Sequence, residues 1–88
     1  MSDEHRPDEA VGTVTHYYSH LAVAGIRLTS PLRVGDRIHI RGHTSDLVQT
    51  VGSLEIDRRG VDHAGPGDDV ALKVDDHVRE HDRIFLED

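Results

Sequence analysis

Apolar residues in this chain recur at period two, and nowhere do they sustain a 3.6-residue period, so the sequence specifies strands rather than helices. The segment Arg37-Ile38-His39-Ile40-Arg41-Gly42-His43 alternates most cleanly. It turns Ile38 and Ile40 one way and Arg37, His39, Arg41 and His43 the other. Val11 to Tyr18 is rich in β-branched and aromatic residues. Leu21 to Leu28 places Ala22, Ala24, Ile26 and Leu28 on one face. Asp46 to Asp57 reads as one longer strand ending in Leu54 and Ile56; Val70, Leu72 and Val74 alternate again, and Arg83 to Leu86 closes the chain.

The intervening pieces read as turns. Thr29-Ser30-Pro31 interrupts the alternation, and Leu32 to Asp36 is a turn in which Gly35 can take a positive φ. Arg58 to Asp68 reads as loop, and Asp75 to Asp82 as a polar connection containing Val78. Six short, evenly spaced strands predict an all-β fold, a small closed six-stranded antiparallel Greek-key barrel. Closure would leave no free strand edge. The expected organisation is an acidic flexible tail over residues 1–10 and one β-barrel domain over 11–88.

With 88 residues and no cysteine, the chain suits one small domain without disulfide or thiolate chemistry, as expected in a cytoplasmic protein. No apolar run approaches the roughly 20 residues of a membrane helix. The start, Met1-Ser2-Asp3-Glu4-His5, is too acidic for a targeting peptide, and no membrane partner is expected. The net charge of −7 argues against a DNA partner held by bulk charge. That charge is uneven. Residues 1–10 and 68–88 are acidic, while residues 11–67 hold six arginines against five acids. Twelve Asp, nine Arg and one Lys give the Asp-rich, Lys-poor balance of proteins from salt-loving organisms.

Several short pieces carry a family resemblance. They are Val11-Gly12-Thr13-Val14, Leu32-Arg33-Val34-Gly35-Asp36-Arg37-Ile38, Val51 to Ile56, Ala64-Gly65-Pro66-Gly67-Asp68-Asp69-Val70, and Val78 to Ile84. In this order they resemble the second, β-barrel domain of translational GTPases such as elongation factor Tu. Val14 to Tyr18, Gly42 to Asp46 and Gln49 to Val51 resemble small stand-alone proteins called translation elongation factor-like. A related barrel is appended to collagenase-like peptidases. Where the family usually has Gly before the final Asp, this chain has His81, which requires either an ordinary or a strained backbone angle.

The resemblance implies a barrel that contacts the ribosome, rRNA or tRNA. No phosphate-binding loop accompanies it, because the glycine-rich stretch Gly65-Pro66-Gly67-Asp68-Asp69 ends in acids that repel phosphate. No nucleotide and no other cofactor is therefore expected. The candidate binding residues are the stripe Arg37, His39, Arg41 and His43, whose donors suit phosphates, with Arg58 and Arg59 in a loop and Tyr18 as a stacking ring. Eight histidines raise the question of metal; the pairs His16/His20 and His39/His43 lie ~13 Å apart along a strand, too far for one zinc without a bend or a cross-strand partner, so no metal site is expected and a histidine-based metal binder stands only as a third reading. Ser19, Ser30, Ser45 and Ser53 lack the setting of a nucleophile, and a filled barrel leaves little room for substrate, so the protein is expected not to be an enzyme. The leading expectation is a non-enzymatic, translation-related binding module. The alternative is an accessory barrel that docks on an enzyme, like the barrels appended to the peptidases.

Overall fold

The structure, a computed structural model, describes residues 9–87. The tail expected over residues 1–10 lies almost wholly outside the described residues. Ten strands form in chain order among them: β1 (Ala10–Tyr18), β2 (Val23–Leu28), β3 (Leu32–Arg33), β4 (Arg37–Arg41), β5 (Asp46–Thr50), β6 (Leu54–Ile56), β7 (Arg59–Val61), β8 (His63–Ala64), β9 (Asp69–Lys73) and β10 (Arg83–Leu86). Eight make one antiparallel sheet in the order β5-β4-β10-β1-β2-β9-β6-β7, and β3 pairs with β8 separately.

Alternation places the core as expected, except that Ala22 falls in the turn before β2 and is only partly buried. Ile38 and Ile40 of β4, Ala24, Ile26 and Leu28 of β2, Val70 and Leu72 of β9, and Ile84 of β10 are all buried. So are Val74 and Val78, in and beside the polar connection. The buried hydrophobic residues among those described are all aliphatic. β1 departs from strict alternation through bulges between Ala10 and Gly12 against β10 and between Val14 and His16 against β2. Close packing fixes Gly12, since a Cβ there would lie 2.9 Å from Ile26 Cγ2 and 3.0 Å from the Arg27 carbonyl.

The expected closed six-stranded barrel is not formed. The sheet is antiparallel and curls into a half-barrel whose ladder ends at β5 and β7. The single strand expected over Asp46 to Asp57 is broken, because Val51 bonds elsewhere. Its amide donates to the Asp36 carbonyl at 2.8 Å, and its carbonyl accepts from Gly35 N at 2.8 Å. β5 therefore stops at Thr50 and β6 begins at Leu54 beside β9. A side chain spans the seam in place of a ladder: buried Gln49 donates through Nε2 to the Lys73 carbonyl at 2.9 Å, and its Oε1 accepts from Asp75 N at 2.8 Å. The loop expected over Arg58 to Asp68 contains two short strands, β7 and β8. Through Leu32 and Ala64, both buried, the β3–β8 pair adds to the core.

Three turns share one construction. In Arg33–Asp36, Gly65–Asp68 and Arg79–Asp82 the fourth residue's amide donates to the first residue's carbonyl at 3.1 Å each. The fourth residue is always Asp, and its Oδ2 accepts the first residue's amide at 2.9, 2.9 and 2.8 Å respectively. The third residue has positive φ: Gly35 at 99°, Gly67 at 89° and His81 at 78°. This is type II turn geometry, which favours glycine at the third position. His81 takes the strained angle.

Candidate functional site

The sequence-selected residues divide between two places on the outer surface. On β4, Arg37, His39 and Arg41 face outward as the alternation requires, with Ile38 and Ile40 beneath. They do not form a free row of donors. The half-buried His39 lies between two carboxylates, with Nε2 against Asp46 Oδ1 and Nδ1 3.2 Å from Glu87 Oε2. Arg37 Nη1 donates to Thr50 Oγ1 at 3.3 Å. Arg41 stacks over the Phe85 ring at 5.6 Å from its centroid, and Arg83 approaches the same ring at 6.0 Å. His43 is exposed in the turn after β4, where Gly42 N donates to the Ser45 carbonyl at 2.9 Å. The sequence reading missed Asp46, Glu87, Arg83 and Phe85. A four-residue turn over Gly42–Ser45 sets Asp46 opposite Arg41 and could have been read, but Glu87 and Phe85 depend on β10 lying beside β4.

Tyr18 and Arg58 meet elsewhere, at a groove of about 560 Å³ on the outer face of β2, β9 and β6. The β1–β2 hairpin forms one wall with Tyr18 and Leu21, which are 47% and 62% exposed. Val23 and Ala71 also line the groove, and in the ladder Ala71 pairs with Gly25 on one side and Glu55 on the other. Such small residues keep the sheet surface low. Arg58, Lys73 and Glu55 bring charge to the groove. Among the described residues, none of the three makes a salt bridge. Arg59 starts β7, exposed, next to this group.

Backbone strain gathers around the groove. The two-residue connection between β6 and β7, Asp57-Arg58, has φ of 52° and 67°, as a type I′ hairpin turn requires. Ala22, at the end of the β1–β2 turn, has φ 55°. Each non-glycine residue in this region costs about 1 kcal/mol. At the far end of the same surface, Arg27 donates to Asp69 on the neighbouring strand, Nη2 to Oδ2 at 3.0 Å. This hydrogen bond holds the Asp69 carboxyl below its usual range and raises the Arg27 guanidinium.

The histidines are dispersed. The His16 ring packs tilted against Tyr18 with centroids 4.3 Å apart and lies 3.5 Å from Glu80, while His77 packs edge-on to Tyr17 at 4.6 Å. No group of three His, Asp or Glu side chains able to hold a metal occurs among the described residues. Nor is any helix among them long and apolar enough to cross a membrane.

The geometry defines a small all-β half-barrel with an apolar groove on its outer face. No family model matches the chain. It is 38% identical over 77 residues to an uncharacterized protease of Methanocaldococcus jannaschii, a match covering 86% of this chain and 19% of that protein. The chain thus spans about a fifth of that curated relative. In fold it matches the C-terminal domain of a putative U32 peptidase from Geobacillus thermoleovorans, with a TM-score of 0.87, 19% identity, and coverage of 98% of this chain and 100% of that one. The selenomethionine variant of the same domain gives a TM-score of 0.83 at 20% identity, covering 88% and 98%.

These findings overturn the resemblance to translation elongation factor-like proteins, since the relative is described as an uncharacterized protease and both solved structures as C-terminal domains of a U32 peptidase, none as a translation factor. They give no support to the ribosome, rRNA or tRNA as partners. The motifs behind that resemblance have a structural cause. Val34-Gly35-Asp36 and Gly65-Pro66-Gly67-Asp68 are two of the three Asp-closed turns, and they report how strands are joined rather than what the protein binds.

Proposed function

We propose that this chain is a non-enzymatic accessory half-barrel that docks on a protein partner of the U32 peptidase class. One observation carries the reading: the whole described fold corresponds to a domain that stands at the C-terminus of such a peptidase. The sequence match to about a fifth of a protease supports it. The surface adds support, because its polar clusters are arranged as ion pairs and stacked rings, while its apolar groove is open to a partner.

Affinity capture with the tagged chain, read by mass spectrometry, tests this. The expected result is a peptidase-family protein in near-stoichiometric amount. Co-purification of RNA or ribosomal proteins without a peptidase would sink the reading. The purified chain alone is expected to leave casein and gelatin uncut, and cleavage that survives repurification would make it an enzyme in its own right.

A further inference from the structure

We propose that the groove beside the β1–β2 hairpin is the docking site, and that it takes a partner segment with apolar side chains flanked by carboxylates. The proposal rests on the docking reading above and names its surface and the partner's chemistry.

Two observations converge on this place. Four large hydrophobic residues are strongly exposed among those described, and two of them, Tyr18 and Leu21, stand at this groove. Exposed apolar surface gathered in one concavity marks an interaction site, whereas single exposed residues do not. Three of the four non-glycine residues with positive φ among those described, Ala22, Asp57 and Arg58, lie in the two turns bordering it. A glycine at any of them would relieve the strain, and none is present.

Charge then selects the occupant. The chain carries −7 overall, yet the groove holds two cations, Arg58 and Lys73, against the single acid Glu55. Lys73 is the chain's one lysine. Neither cation has a carboxylate within salt-bridge distance among the described residues, whereas Arg27 at the other end of this surface is paired to Asp69. A local excess of unpaired positive charge beside apolar walls complements an apolar segment bordered by Asp or Glu. A basic segment would meet repulsion at the rim from both cations.

The test is a titration of the isotope-labelled chain with two blocked peptides, followed by nuclear magnetic resonance. One peptide carries two leucines between pairs of aspartates, and the other has lysines in place of the aspartates. The aspartate peptide is expected to shift the amides of Leu21, Arg58, Ala71 and Lys73, with affinity about tenfold above the lysine peptide. Ala71→Arg, which fills the floor from the outer face, is expected to abolish those shifts. Leu21→Ser, at an exposed hairpin tip, is expected to weaken them and serves if Ala71→Arg does not fold. Equal affinity for the two peptides, shifts elsewhere on the surface, or no shifts would overturn the proposal. A groove that responds instead to oligouridylate would also overturn it. No peptidase enters this titration, so its failure removes the groove while the capture experiment still decides the docking reading.

Discussion

The side-chain amide of Gln49 on β5 donates to the main-chain carbonyl of Lys73 on β9 at 2.9 Å, although no ladder joins the two strands. The same amide accepts from Asp75 N at 2.8 Å, so one buried side chain satisfies two main-chain groups where a closed barrel would have used a strand pair. Gln49 is only 3% exposed, and water cannot readily replace it.

Gln49→Leu is therefore expected to destabilise the fold by about 2 kcal/mol, because it strands a donor and an acceptor at a partly buried seam. Urea denaturation followed by circular dichroism measures it. A change below about 0.5 kcal/mol, the scale of an ordinary surface substitution, would show that the seam is wet.

The three Asp-closed turns make a comparison within one molecule. Gly35 and Gly67 occupy the positive-φ position in two, and His81 occupies it in the third at 78°. His81→Gly is expected to stabilise the protein by about 1 kcal/mol, since glycine relieves the strained angle at a modest cost in unfolded-state entropy. Gly35→Ala and Gly67→Ala are expected to destabilise by a similar amount, although a Cβ meets nothing within 4 Å at either site. Thermal melts of the three variants check both signs together.

Gly42 is constrained by space instead of φ. A Cβ there would fall 1.8 Å from Asp82 Oδ1, and Asp82 is buried and accepts the Arg79 amide. Gly42→Ala is expected to cost about 2 kcal/mol or more by displacing that carboxylate from its turn, whereas Gly52→Ala meets open space and is expected to change stability far less. Parallel denaturation curves of the two variants decide it.

The sequence revealed most where one strand carries its own pattern. Ile38 and Ile40 alternate with Arg37, His39 and Arg41, and local periodicity alone sorted them correctly between core and surface. It could not show the break after Thr50, because that break depends on Val51 bonding to Gly35 and Asp36, residues in an earlier turn. Nor could it show that His39 lies between Asp46 and Glu87, since Glu87 arrives only through the pairing of β10 with β4. The groove was hidden for the same reason: Tyr18, Arg58 and Ala71 come from separate parts of the chain. The translation-like motifs misled because a glycine followed by a turn-closing Asp is selected by backbone geometry, which many functions share.

The Arg27–Asp69 pair gives a pH dependence with a defined sign. The carboxyl of Asp69 is lowered by its hydrogen bond from Arg27, so the pair's stabilisation is present above the ordinary Asp range and is lost as pH falls through the lowered folded value. Asp69→Asn is expected to remove this part of the acid destabilisation. Because both groups are exposed, the difference from the parent is expected to be small and to shrink in added salt. Acid titrations of parent and variant at low and high ionic strength measure it, and a variant that loses stability more steeply in acid than the parent would reverse the assignment.

Arg58 separates stability from docking. Its φ of 67° is unfavourable for a side-chain-bearing residue, and its guanidinium supplies half of the groove's positive charge. Arg58→Gly is expected to raise stability by about 1 kcal/mol through relief of the type I′ turn. The same change is expected to weaken the aspartate-flanked peptide several-fold, because one of the two rim cations is gone. Arg58→Lys keeps charge and strain together and is expected to leave both quantities near the parent values. Denaturation and peptide titration on the same two variants distinguish the roles. A glycine variant that gains stability and keeps full affinity would assign Arg58 to the turn alone, whereas one that loses affinity shows a strained residue retained for the contact it makes.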